Sequence, residues 1–502
     1  MILGTSVVIA ILQREPSRQP FLLLLPNPDV VPVVGALARR AAQLNVGDCF
    51  AAALAEREHL PLGFCPGRLQ RPGLLSWGWS EWAWSFCRRL AEPRARGANV
   101  RCPPRSPRAP WLLAGVATAL LSALAPLPLL AQLDPASVIA RVEAPQVPDR
   151  GGDDALSIPE LLERLQVPGV SIAVIHNFRV AWVKSYGVAN VASGQPVEAT
   201  TLFQAASISK PVTAMAATWL AQERRLGLDD DINAVLRSWR LPPSNLPGRQ
   251  PVTPRALLSH TSGAADGFGF PGYAPGEPLP SLVQILQGQP PANRGPVVFA
   301  RPPYQRYQYS GGGFVVMQLA LTDLTGQPFA DVMKAAVLAP LGMDDSSFQQ
   351  PIPAARSPRA ARAHDPQGRR LGAPWHVYPE QAAAGLWTTP TDLARFVIEV
   401  QTALRGPRGR VLSQASARQM VAPVGTGPFA VGLSISKRGE GWYFSHPGGN
   451  WGFRSEILGH LLKGYGVVVM TNSDAGEPLI SAIESRVAAA YGWDSLDRPL
   501  AP

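Results

Sequence analysis

FQAASISKPVTAMAATWLAQERRLGL, residues 203–228, carries the tetrad Ser207-Ile208-Ser209-Lys210 at the head of a run in which small and apolar residues recur at helical spacing. Pro211 falls near the end of the first turn, where a missing N–H costs least. The spacing predicts that Ser207 and Lys210 stand one above the other at a helix N-terminus. A serine hydroxyl needs a base to become a nucleophile at neutral pH, and a lysine one turn on can supply it. A cation in the first turn is poorly placed for the helix dipole, so burial there gives the lysine a reason to lose its proton. The alternative is a solvated helix start at which Ser207 only caps. The tetrad recurs as Ser434-Ile435-Ser436-Lys437, although the chain has only five lysines. That copy sits in FAVGLSISKRGEGWYF, residues 429–444, which alternates like a strand and breaks at Arg438-Gly439-Glu440-Gly441 like a hairpin. In a strand, positions i and i+3 face opposite ways, so Ser434 and Lys437 cannot meet. The first copy is the candidate for chemistry.

Two further segments complete a constellation. YQYSGGGF, residues 307–314, places Tyr309 and Ser310 before a helix-like run over 314–324. YFSHPGGNWGFRSEI, residues 443–457, places His446, Gly448 and Gly449 between strand-like stretches. Ser-x-x-Lys, a Tyr-x-Asn-like turn and a Lys/His-x-Gly strand, in that order, resemble the serine β-lactamase and penicillin-recognising superfamily. Within it the likeness is to the class C lactamase, D-alanyl-D-alanine carboxypeptidase and esterase branch. VPGVSIAVI, SYGVAN, LLSHTSG, LAPLGMDDSSF, AAGLWTTPTDLARF and VVVMTN read like that branch too, over roughly residues 157–491.

The resemblance implies a nucleophilic Ser207 that forms an acyl-enzyme, with Lys210 as its base or electrostatic tuner. It implies Tyr309 as the second member of the proton relay, although Tyr304 and Tyr307 leave the register open. His446 matches the lysine or histidine that orients a substrate carboxylate. Gly449, following Gly448, would give an edge-strand N–H that joins the N–H of Ser207 in an oxyanion hole. His260 reads as structural, and Trp387 and Trp451 as pocket wall or core. One departure matters: the family's asparagine in the second motif is Gly311, so the contact to an acyl amide is missing. Together with histidine at 446, this argues against efficient β-lactam turnover. The expected substrate is an ester, or a D-amino-acid peptide or amide such as a peptidoglycan-like peptide. The competing reading is a penicillin-recognising module that binds or is slowly acylated, or a weak class C-type β-lactamase.

Charge and cysteine usage divide the chain. The first 110 residues hold 14 arginines, no lysine and seven acidic residues, which is +7 of the total +10. The remainder is nearly balanced, so the basic pI is no argument for nucleic acid. All four cysteines (Cys49, Cys65, Cys87, Cys102) lie in that part, at spacings that match no metal site. Trp77, Trp79, Trp82 and Trp84 read as Arg-, Pro- and Trp-rich sequence without periodicity rather than as a base-stacking platform. Arg105 to Arg108 then lead into WLLAGVATALLSALAPLPLLAQ, an apolar stretch ending at small residues, which has the pattern of an export signal. The alternative is a single membrane anchor over 111–131. The depth of this segment points to a misplaced start, with residues 1–99 untranslated and residues 100–131 the signal. Terminal peptides from the native host are then expected to begin near Gln132, and recovery of peptides from residues 77–84 would refute the idea.

After residue 131 the chain has no cysteine, and its six histidines form no metal-binding pattern, so neither metal nor other cofactor is expected. Residues 132–156 read as a linker and 157–495 as the hydrolase domain. Short strands are predicted at 170–175 and 180–185 and again near 429–436, 441–445, 455–458 and 466–471, with helices at 158–165, 207–226, 391–402 and 478–491. Strands at both ends with helices between imply an α+β domain, with one antiparallel sheet assembled from both termini and an inserted mostly helical region. The resemblance implies the same β-lactamase/transpeptidase-like arrangement, with the site in the cleft between the two parts.

Overall fold

The computed structural model describes residues 134–148, 151–242, 250–267, 269–439 and 441–493, together with the backbone of residues 7–10 and 22–25. Within the unit Met1–Ala123 the described elements are strands β1 (Val7–Ala10) and β2 (Leu22–Leu25), paired antiparallel. The cysteines, the tryptophan cluster and the export-like segment over 105–131 lie outside the described residues. Among the described residues no helix is long and apolar enough to cross a membrane.

The second unit is built on a seven-stranded antiparallel sheet. From its N-terminal part come β3 (Gly169–His176), β4 (Arg179–Asn190) and the two-residue β5 (Gln195–Pro196). A separate pair, β6 (Phe203–Gln204) and β7 (Trp387–Thr388), lies beside the tetrad. The C-terminal part adds β8 (Ser434–Arg438), β9 (Gly441–Asn450), β10 (Phe453–His460) and β11 (Gly466–Thr471). The spatial order is β5-β4-β3-β11-β10-β9-β8, so the ends of the domain meet where β3 pairs with β11. This is the β-lactamase/transpeptidase-like fold.

Side-chain alternation explains why the central strands are buried on both faces. Val170, Ile172 and Val174 of β3 and Val467 and Val469 of β11 pack into one apolar cluster. Ala173, Ile175, Val468 and Met470 pack into the other. The first cluster is closed by helices α1 (Pro135–Glu143), α2 (Ile158–Arg164) and, from the far end of the chain, one over residues 476–491. The second is closed by α3 (Ser209–Gln222), α4 (Gly312–Thr325), the short α5 (Gln381–Ala384) and α6 (Pro390–Arg405). The helix over 476–491 is α7 (Gly476–Tyr491), and Gly492 stops it in the left-handed region at φ 62°.

Three expectations change. The stretch 132–156 contains α1, capped by the Asp134 carboxylate, with Val138 and Val142 fully buried. Arg486 of α7 donates to the carbonyls of Ala144, Asp153 and Leu156, so this stretch is packed into the domain rather than a linker. The tetrad helix ends at Gln222, short of the predicted 226, with Arg224 already at φ 57° while Leu226 turns back into the core. β9 runs through His446-Pro447-Gly448-Gly449 to Asn450, beyond the predicted stop at 445.

Candidate active site

Ser207 lies in a single 3-10 turn, Ala206–Ile208, and the α-helix proper begins at Ser209. Two hydrogen bonds tie this turn to the β7 segment: Ala205 N–H donates to the Leu386 carbonyl, and Leu386 N–H donates to Ser209 Oγ. Ala206 sits at φ 51°, a left-handed conformation unusual for a residue with a Cβ. The backbone bend turns Ser207 toward the cleft, where it is half-buried while its neighbours on both sides are buried. Strain of this kind is retained where surrounding packing over-determines it.

Lys210 is fully buried. Its Nζ donates to Ser207 Oγ at 3.0 Å and to the Ala383 carbonyl of α5 at 2.8 Å. Burial brings its pKa down to about 7, against an opposing pull from the Asp266 carboxylate. The tetrad geometry is therefore as the spacing predicts. The second tetrad is in β8, where Ser434 pairs with Ser445 and Lys437 with Trp442, and Lys437 is exposed.

Tyr309 shares a side-chain hydrogen bond with Ser207, and its ring centroid is 5.1 Å from Lys210 Nζ. Burial raises the phenol pKa, with the Ser207 bond acting the other way. The ring stacks on His260 at 4.2 Å between centroids. His260 is held in turn by the Ser310 N–H, which donates to its Nδ1 at 3.1 Å. Tyr304 bonds Thr253 away from Ser207, and Tyr307 stacks on Phe429. Of the three tyrosines in the segment, Tyr309 is the one hydrogen-bonded to Ser207.

His446 is fully buried in β9 opposite Ile457. Its Nδ1 lies 2.7 Å from the Pro447 carbonyl, which can only accept, so Nδ1 carries the proton and Nε2 the lone pair. Burial first, then the charge on Lys210, lower its pKa to about 3. The imidazole is neutral over the physiological range. Its ring lies 6.2 Å from that of Tyr309.

Of the two glycines after it, Gly448 owes its identity to crowding. A Cβ on Gly448 would lie 2.3 Å from the Ala205 carbonyl oxygen and 2.3 Å from Ser455 Oγ. β9 can therefore pass against the backbone that leads into Ser207 only as glycine. Asn450 pairs with Phe453 across the two-residue turn, and Gly448 with Ser455. By the alternation of an antiparallel ladder, the N–H of Gly449 points away from β10, toward the side on which β8 has already ended. A Gly448→Ala substitution is expected to push β9 off this turn, lowering turnover at least about tenfold and stability by about 1–3 kcal/mol. Steady-state kinetics and urea unfolding on the same preparation check it.

Asp266 is a site residue that sequence reasoning missed. Its carboxylate accepts from Ser310 Oγ at 2.5 Å and from Gly312 N–H at 2.7 Å, which fixes the turn that carries Tyr309. It also acts on the charge states of Lys210 and Tyr309. Only its position as the one acid in the Gly-rich stretch 263–276 could have singled it out. Gly311 caps α4. No cluster of three metal-ligating side chains occurs among the described residues.

A family model described as Beta-lactamase matches residues 157–491. Protein Rv1367c of Mycobacterium tuberculosis is 30% identical over 290 residues, covering 53% of this chain and 70% of its own. Esterase EstB of Burkholderia gladioli is 28% identical over 352 residues, covering 62% of this chain and 80% of its own. Among solved structures, the D-amino acid amidase of Ochrobactrum anthropi SV3 superposes with a TM-score of 0.56 at 22% identity, over 72% of this chain and 98% of that one.

Proposed function

The chain belongs to the Beta-lactamase family, a family of serine hydrolases, and we propose that it is an exported acyl-enzyme hydrolase of small esters, with amides of D-amino acids as the second substrate class. The observation that carries the substrate reading is the buried, neutral His446 beside a second motif that has glycine at 311. A neutral imidazole cannot grip a substrate carboxylate by charge, and glycine cannot hold an acyl amide. β-Lactams and peptides that end in a free carboxylate need both. An ester needs neither. The likeness to an esterase and to a D-amino acid amidase supports the same two classes. Export rests on the sequence pattern of residues 105–131.

The reaction follows from the placement of the groups. Lys210, neutral in part near pH 7, takes the Ser207 proton as Oγ attacks the substrate carbonyl. The N–H groups of Ser207 and Gly449 receive the oxyanion of the tetrahedral intermediate. Tyr309 passes a proton to the departing alkoxide, leaving an ester of Ser207, and the Lys210 ammonium restores the phenol's proton. Water then attacks the acyl-enzyme, losing its proton to the same Tyr309–Lys210 pair. The acid departs, and Ser207 regains its hydrogen.

The test is a comparison of kcat/KM for p-nitrophenyl acetate and butyrate with that for a chromogenic cephalosporin. Each missing hydrogen bond costs on the order of 1–3 kcal/mol, or roughly tenfold to a hundredfold in rate. The esters are therefore expected to be faster by at least about a hundredfold. A cephalosporin hydrolysed faster than the esters would overturn the substrate reading. A stable penicilloyl adduct without ester turnover would favour a binding module instead.

A further inference from the structure

Gly311 has ordinary right-handed helical angles, φ −73° and ψ −39°, so its backbone would accept another residue. What stands in the way of a side chain is a ring. An ideal Cβ on Gly311 would lie 2.8 Å from Phe270 Cε2 and 3.5 Å from its Cδ2 and Cζ. Phe270 is half-buried and packs against the main core. Its ring fills the space into which a side chain at 311 would project, two residues from the phenol that is bonded to Ser207. Four donors of this turn are already engaged within the protein. Ser310 N–H donates to His260, Gly312 N–H to Asp266, Gly313 N–H to Ser310 Oγ, and Ser310 Oγ to Asp266. None of these four donors is left for a substrate amide.

We propose that Phe270 is a specificity-determining residue, an apolar wall on the acyl side of Ser207 that selects hydrocarbon acyl groups over acylamino ones. The proposal rests on the acyl-enzyme reading of Ser207. An alkyl chain loses water on meeting the ring and gains by it. An acylamino group would shed its hydrogen bonds to water against a ring that offers none in return, which costs more than it gains. The loss of a side chain at 311 and the presence of the ring at 270 are then one feature. Restoring an asparagine at 311 alone puts its amide into occupied space.

Four substrates with the same p-nitrophenolate leaving group confine the variation to the acyl side: the acetate, the butyrate, the octanoate, and the ester of N-acetyl-D-alanine. The wild-type protein is expected to prefer butyrate to the N-acetyl-D-alanine ester. Phe270→Ala should raise the octanoate-to-acetate ratio of kcat/KM at least about tenfold, the size of a pocket contact of a few methylenes. Gly311→Asn alone should lower turnover of all four esters. Combined with Phe270→Ala, it should raise the N-acetyl-D-alanine-to-butyrate ratio at least about tenfold over either single variant, a non-additivity expected only of side chains that share space. Phe270→Leu keeps the apolar bulk, guards against loss of folding, and should give a profile between wild type and Phe270→Ala. An unchanged chain-length ratio in Phe270→Ala, or the full gain from Gly311→Asn alone, would overturn the proposal. Failure of the underlying acyl-enzyme reading looks different: no ester turnover by the wild-type protein and no fluorophosphonate adduct on Ser207.

Discussion

Ser207→Ala is expected to abolish fluorophosphonate labelling and to lower ester turnover by at least about a thousandfold, whereas Ser434→Ala leaves both unchanged. The contrast follows from two copies of one tetrapeptide in two backbone states. In the first, one helical turn brings Lys210 Nζ within 3.0 Å of Ser207 Oγ, and Tyr309 closes on the same hydroxyl. In the second, Ser434 and Lys437 project from opposite faces of β8, and Lys437 is exposed. Ser434 therefore has no lysine beside it to take its proton. Mass spectrometry of labelled tryptic peptides reads the result directly. Label retained in Ser207→Ala, or found on Ser434, would sink the assignment. Circular dichroism of both variants should match the wild-type protein, because neither hydroxyl carries the fold.

Which parts of this arrangement were legible in the sequence follows a physical division. β11 was bounded correctly because Val467 to Met470 is a continuous apolar run, as a strand buried on both faces must be. The contact between Ser207 and Lys210 was legible because it is local, one turn apart. The continuation of β9 was not, since Pro447, Gly448 and Gly449 each read as a breaker. The structure tolerates them for separate reasons. The nitrogen of Pro447 faces neither partner, because β8 ends opposite Ser445, and Gly448 is demanded by the carbonyl of Ala205. α1 did leave local signals, an Asp-Pro start and valines four apart, but nine residues beside a proline-rich lead are a weak pattern. Asp266 and Phe270 were invisible for a different reason. Each acts on a turn more than forty residues away, and nothing in a Gly-rich stretch marks which of its side chains will fold back onto a site.

Lys210→Met is expected to give a protein that is inactive yet more stable than the wild type at pH 6, with the gain fading toward pH 10. In the unfolded chain the lysine holds its proton up to its ordinary pKa, whereas in the folded protein burial lowers that value from 10.5 to about 7. Between about pH 7 and 10 the unfolded state binds the extra proton, so wild-type stability rises as pH rises through this window. Below it both states are protonated, and the folded state bears the whole cost of an ammonium buried at 0% exposure. A shift of this size, from 10.5 to about 7, corresponds to on the order of 5 kcal/mol, at about 1.4 kcal/mol per unit. Methionine fills the same buried space without a charge. It also leaves the Ala383 carbonyl without its donor, which returns about 1–3 kcal/mol. The net gain at pH 6 should therefore be about 2–4 kcal/mol, read as a higher urea midpoint, and close to zero or negative at pH 10. The wild-type enzyme should show the kinetic counterpart, a kcat/KM for esters that climbs as pH rises through about 7 while Lys210 gives up its proton. If the methionine variant is less stable at pH 6, or its advantage does not change with pH, then Lys210 does not bear the desolvation cost that favours its neutral amine. A lysine that pays nothing to be buried has no reason to release its proton to solvent near neutrality, and Ser207 would need another base.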